Sequence, residues 1–139
     1  MNSFVWKVRV YWEDTDAGGV VYHSRYLNFF ERARTEWLRE KGVHQAQLAK
    51  EENALFAIRH MDIDFLQAAR LDDELEISVS NVRTGGVRMT FDQDMTRCSD
   101  RKPVATARLI AVCLTADTFK PTRMPRWIRG LTGPDKYAK

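Results

Sequence analysis

Apolar and polar residues alternate without interruption over residues 4–12, FVWKVRVYW. Phe4, Trp6, Val8, Val10 and Trp12 fall on one face, and Lys7 and Arg9 on the other, which predicts a strand with one buried side. Over residues 24–42, SRYLNFFERARTEWLREKG, the period changes. Tyr26, Leu27, Phe30, Ala33, Trp37 and Leu38 recur at steps of three and four, the signature of an amphipathic helix. Ser24 is placed to cap its start and Gly42 to stop it. At about 1.5 Å per residue such a helix is about 27 Å long, nearly the width of a small domain. Its stripe of bulky aromatics makes it the expected central packing element.

A short polar helix is expected over 44–52, followed by four runs that read as strands: 54–66, 73–83, 87–98 and 103–115. Leu75, Ile77 and Val79 alternate in the second run. Gly85-Gly86 signals a tight hairpin between the second and third, and SDRKP (99–103) turns the chain into the fourth. That last run is almost continuously apolar, as expected of a strand inside a sheet. The order is one strand, one long helix, then at least four strands in meander. This predicts a single α+β domain over 1–139, with the helix laid against one antiparallel sheet. Large side chains on the sheet's second face, Phe4 and Trp6 among them, call for cover by a dimer or larger assembly.

The exception to this patterning is residues 12–27, WEDTDAGGVVYHSRYL. Glu13, Asp14 and Asp16 crowd together before a glycine pair, a combination that strands and helices both disfavour. Asp16 sits after a strand end and shortly before a helix start, where unpaired backbone N–H groups and the positive end of the helix dipole gather. Gly18 and Gly19 let the backbone turn sharply and let a ligand approach. A carboxylate beside such donors suits acyl transfer: the amides stabilise an oxyanion while the carboxylate attacks or activates water. The same residues also serve as ordinary turn formers that hydrogen-bond their own backbone, and spacing alone leaves both readings open. His23 is equally open between an acid–base and a structural role. Glu31 reads as solvated or at an interface, and Asp62 and Asp64 as facing water. No nucleophile elbow, P-loop or dinucleotide glycine motif occurs.

Composition narrows the setting. Apolar content of 44% and charged content of 29% fit a globular chain. No window approaches eighteen apolar residues, so no membrane span is expected. The first ten residues lack a secretory pattern. Cys98 and Cys113 lack metal-ligand spacing, and with no secretory pattern they are expected as reduced, partly buried thiols in a cytoplasmic protein, with no metal or redox pattern. The formal charge of +3 is uneven: residues 1–119 carry −2, and residues 120–139 carry six basic residues and one Asp. That basic tail, from about residue 120, is read as a solvated, partly disordered end. A nucleic acid, an acidic protein or a phosphorylated ligand is the alternative use of such charge.

Residues 11–34, YWEDTDAGGVVYHSRYLNFFERAR, closely resemble the signature of hotdog-fold acyl-CoA thioesterases of the 4-hydroxybenzoyl-CoA thioesterase branch. Within it they are most similar to the bacterial group associated with the Tol-Pal system. Length and element order extend the resemblance over nearly the whole chain. It implies a hotdog fold, a long helix wrapped by a five- or six-stranded antiparallel sheet, in subunits that pair into a dimer of dimers. It implies hydrolysis of an acyl-CoA thioester, with Asp16 as nucleophile or general base and the backbone amide of His23 as oxyanion donor. Gly19, Val20 and Tyr22 would line the acyl end, and Arg88, with Arg83, would meet the CoA phosphates. CoA is substrate, so no cofactor is implied; acyl carrier protein or an envelope-associated complex is the implied partner, and nucleic acid is not. Ala17 stands where relatives often carry proline, and Arg25 where they often carry Asn. Dehydration or hydration of an acyl thioester would need a differently spaced His and carboxylate. A binding or scaffold protein that holds an acyl thioester or acyl carrier protein with little hydrolysis is the alternative function.

Overall fold

The computed structural model describes residues 4–134. Five strands form the sheet: β1 (Phe4–Arg9), β2 (Ala54–Phe65), β3 (Glu74–Thr84), β4 (Arg88–Arg97) and β5 (Pro103–Thr115). The helices are α1 (His23–Glu40), α2 (Gln45–Glu52) and a single turn, α3 (Arg126–Arg129). A two-residue strand, β6 (Gly133–Pro134), pairs parallel with β3. The sheet runs in the order β1-β3-β4-β5-β2, with β1 antiparallel to β3 from Phe4↔Val79 to Arg9↔Glu74. One long helix and one essentially antiparallel sheet make the α+β hotdog arrangement that the sequence predicts.

The meander holds only for β3, β4 and β5. β2 lies at the far edge beside β5 instead of next to β3, so the apolar run of β5 is flanked on both sides, as its composition requires. Tertiary contacts divide the chain into two compact units that share these strands. The first holds residues up to Trp37, Ile63–Ser80 and Asp92–Ala107, and the second holds Leu38–Asp62, Asn81–Phe91 and the chain from Arg108.

In the first unit α1 presents Tyr26, Phe29, Phe30 and Ala33 to the interior, and β3 presents Leu75, Ile77 and Val79. Full burial of each large side chain contributes about 1.5–3 kcal/mol. Phe29 belongs to the buried stripe and Leu27 does not: Phe29 is fully buried and Leu27 is 41% exposed. At 3.6 residues per turn Leu27 stands about 100° around the helix from Tyr26, off the stripe that Phe30, Ala33 and Trp37 continue. Polar groups on this face are satisfied internally. Arg34 Nη1 donates to Gln93 Oε1 at 3.0 Å, and Gln93 Nε2 donates to the Phe30 carbonyl at 3.0 Å. Burial pulls the Arg34 guanidinium down to about 10, partly opposed by Glu31.

β1 is shorter than its pattern. It ends at Arg9, and Trp12 opens a 3₁₀ turn (Trp12–Asp14) with its ring 79% exposed. Of the predicted face only Val10 is fully buried; Trp6 is 37% exposed, because β1 is an edge strand.

In the second unit α1 ends as predicted. Gly42 takes φ +87, its N–H donates to the Arg39 carbonyl, and the Val43 N–H donates to that of Leu38, the paired bonds of a Schellman stop. The basic tail is not a loose end up to residue 134. Met124 and Ile128 are buried, Thr122 N–H donates to the Cys113 carbonyl, and Trp127 Nε1 donates to the Glu52 carboxylate. Apolar residues spaced between the arginines anchor the segment, which a charge count does not register. Lys136 and Lys139 lie outside the described residues. Cys113 is buried and Cys98 half-buried, both as free thiols, and burial pushes Cys113 up to about 11. No helix among the described residues is long and apolar enough to cross a membrane.

Candidate active site

The acidic, glycine-bearing stretch folds into a closed loop inside the first unit. Thr15 and Val21 form an antiparallel bridge, the Asp16 N–H donates to the Val20 carbonyl at 2.9 Å, and the Gly19 N–H returns to the Asp16 carbonyl at 3.0 Å. Gly19 closes the turn at φ +80, in the left-handed region that side chains resist. A second seam fixes the loop to the segment before β3: Val21 N–H donates to the Ala69 carbonyl at 2.8 Å, and Val20 bridges Arg70. The Tyr26 hydroxyl accepts the Ala69 N–H at 3.1 Å, so α1 braces the same seam.

The two aspartates have different surroundings. Asp14 is 4% exposed; its carboxylate accepts the Tyr11 N–H at 2.8 Å and faces Arg25 Nε at 3.9 Å. Its carbonyl accepts the Tyr22 N–H at 2.9 Å. Asp14 therefore staples the 3₁₀ turn to the start of α1. Its position in a D-x-D pattern carries no sign of this, since a turn aspartate has the same spelling. Asp16 is exposed, and one oxygen, Oδ1, accepts the Gly18 N–H at 2.8 Å. A Cβ on Gly18 would stand 3.2 Å from that oxygen. Asp16 Oδ2 has no hydrogen bond among the described residues.

The start of α1 differs from expectation by one residue. Ser24 does not cap the helix; His23 is its first residue, and the Arg25 N–H bonds back to the Tyr22 carbonyl at 2.8 Å. The flanking donors of Tyr22 and Arg25 are thus occupied. The N–H groups of His23 and Ser24 between them have no intramolecular acceptor among the described residues. Two free amides at a helix N-terminus, in the positive end of its dipole, are suited to receive an oxyanion.

The profile of the Thioesterase-like superfamily matches residues 10–131. The acyl-CoA thioesterase YbgC of Haemophilus influenzae is 41% identical over 128 residues, covering 92% of this chain and 93% of its own. The acyl-CoA thioester hydrolase YbgC of Escherichia coli is 42% identical over 130 residues, covering 92% and 96%. This chain belongs to the thioesterase-like superfamily. A probable thioesterase of Bartonella henselae of known structure is 36% identical, with a TM-score of 0.83 over 89% of this chain and all of its own. As a superfamily member the chain is a thioester hydrolase, and its hotdog fold is that of its relatives.

The first unit brings together five residues that the sequence singled out: Asp16, Gly19, Val20, Tyr22 and His23. Tyr22 is 47% exposed, its ring 4.4 Å from that of His23. Arg83 and Arg88 belong to the second unit, on either side of the Gly85-Gly86 turn; Arg83 is exposed and its Nη1 donates to the Val82 carbonyl at 3.2 Å. Glu31, Asp62 and Asp64 are exposed, as expected of solvated carboxylates.

Proposed function

We propose that this superfamily member hydrolyses acyl-CoA thioesters, with Asp16 and the first amides of α1 as its machinery. One observation carries the reading: an exposed carboxylate and two acceptor-free N–H groups stand at the two ends of one closed loop. The substrate carbonyl oxygen is received by the His23 N–H, with the Ser24 N–H beside it, so that negative charge developing on oxygen meets fixed donors. Gly18 N–H holds Oδ1 of Asp16, leaving Oδ2 to act. Either Oδ2 attacks the carbonyl carbon, giving a mixed anhydride that water then cleaves, or it takes a proton from the water that attacks. In both routes the C–S bond breaks with its electron pair on sulfur. A thiol ionises near pH 8.5, about the value of free cysteine, so the thiolate leaves without a dedicated acid.

Gly19, Val20 and Tyr22 form the acyl end of the site, and Arg88 and Arg83 attract the CoA phosphates or the arm of an acyl carrier protein. The chain acts as one domain in a dimer of dimers, in the cytoplasm, where an envelope-associated complex is a further partner. The relatives' printed names, acyl-CoA thioesterase and acyl-CoA thioester hydrolase, support the CoA thioester as substrate. Asp16→Asn keeps size and hydrogen bonding to Gly18 but removes the charge. It is expected to lower thiol release from acyl-CoA by at least about a hundredfold with an unchanged melting temperature. Near-normal turnover by that variant would remove Asp16 from the mechanism. A panel of acyl-CoAs varied in length and aromaticity then ranks the acyl group.

A further inference from the structure

β1 closes one end of the sheet: β3 occupies one of its edges, and no strand among the described residues pairs with the other. A cavity of about 370 Å³ is lined by four consecutive residues of this strand, Trp6, Lys7, Val8 and Arg9. Successive strand residues point to opposite faces. A cavity lying on one face would therefore touch alternate residues only. Contact with four in a row places this one along the strand's open edge, where backbone N–H and C=O groups stand unpaired. Tyr11 and Arg32 help to form its other wall.

The charges lining this groove are not balanced. Of its two carboxylates, Asp14 is already held by the Tyr11 N–H and Arg25, which leaves Glu13. Of its three cations, Arg9 reaches Glu74 at 3.6 Å and donates to the Asp72 carbonyl. Lys7 and Arg32 have no ion pair among the described residues; Arg32 lies over the Phe29 ring at 5.9 Å. Asp16, His23 and Ser24 are not among the lining residues; the groove meets the stretch that carries the proposed chemistry at Glu13 and Asp14.

We propose that the open edge of β1 is a docking site for an extended, acidic segment of a partner protein, added to the sheet as a further strand. Main-chain bonds to the free edge supply affinity, and alternate side chains supply specificity. Side chains directly opposite across two strands share a face. Glutamate or aspartate in the added strand therefore stands against Lys7 and Arg9, and apolar residues stand against Trp6 and Val8. The segment recognised is one in which acidic and apolar residues alternate. Arg32 reaches the same strand from the helix side.

The probe is a capped six-residue peptide alternating Glu and Val, titrated against the full chain and followed by backbone amide shifts in NMR. The expected result is saturable shifts along β1, an affinity at least tenfold weaker for the Lys7→Glu and Arg32→Glu variants, and unchanged thiol release by both. A peptide with Lys in place of Glu, or one N-methylated along one edge, should bind at least tenfold more weakly. Both substituted residues are exposed, so the variants are expected to melt as the parent does. Absence of saturable shifts overturns the proposal. So does equal binding of the N-methylated peptide, which would leave charge attraction alone. If Lys7→Glu instead changes the sedimenting mass of the protein, the edge belongs to a second copy of this chain and the assignment falls.

Discussion

The chain contains two glycine pairs whose structural roles are opposite. Gly18-Gly19 lies in the loop before α1, and Gly85-Gly86 joins β3 to β4. In the first pair Gly19 adopts φ +80, and a Cβ there would meet nothing within 4 Å. Its requirement is one of backbone conformation. Neither glycine of the second pair has a positive φ, but a Cβ on Gly86 would stand 3.5 Å from Arg123 Nη1, and the Gly86 carbonyl accepts the Met124 N–H at 2.9 Å. Its requirement is room for a neighbouring segment. Gly18 combines neither: its φ is ordinary, and what a methyl would crowd is the Asp16 carboxylate. Identical dipeptides thus serve backbone geometry and the setting of the Asp16 carboxylate in one loop, and packing in the other.

Three substitutions separate these roles, in order of expected effect. Gly18→Ala should lower kcat about tenfold, since the Asp16 oxygen must yield by a few tenths of an ångström and misplacement of a reacting group is costly. Its melting temperature should stay with the parent, because only the end of an exposed side chain moves. A fall in both together would show that Gly18 supports the loop and not the carboxylate. Gly19→Ala should cost about 1 kcal/mol in urea unfolding, the penalty of a side chain in the left-handed region. A neutral result would mean that the loop relaxes to negative φ at no cost. Gly86→Ala should lie within about 0.5 kcal/mol of the parent, as a 3.5 Å contact is ordinary and a methyl restricts the unfolded chain. A loss near that of Gly19→Ala would erase the distinction between the two pairs.

The sequence exposed the elements whose periodicity comes from burial on one side. α1, α2 and the runs of β2 to β5 lie within a residue or two of their expected bounds, because packing faces must repeat at the period of the backbone. What failed was pairing. Nothing in the composition of β2 says that it joins β5 across the sheet, since strand order is decided by contacts between distant residues. Trp12 keeps the alternation of β1, but two residues on the Asp14 carboxylate captures the Tyr11 N–H and turns the chain. Asp16 and His23 were legible through their neighbours and their resemblance to a known signature. The His23 amide was expected at a helix start, but the matching vacancy at Ser24 and the occupied donors of Tyr22 and Arg25 were not legible, because an empty donor is a property of where every other group has gone.

The segment from Lys120 to Pro134 counts as charge in the sequence and as folded chain in the structure. With Met124 and Ile128 buried, Arg123 and Arg126 are held at set positions on the surface rather than on a drifting strand. The entropy of ordering that backbone is spent when the protein folds, not when a ligand arrives. A loose run of four positive charges attracts any anion in proportion to total charge. In this segment burial of Met124 and Ile128 sets the spacing of the charges before any encounter.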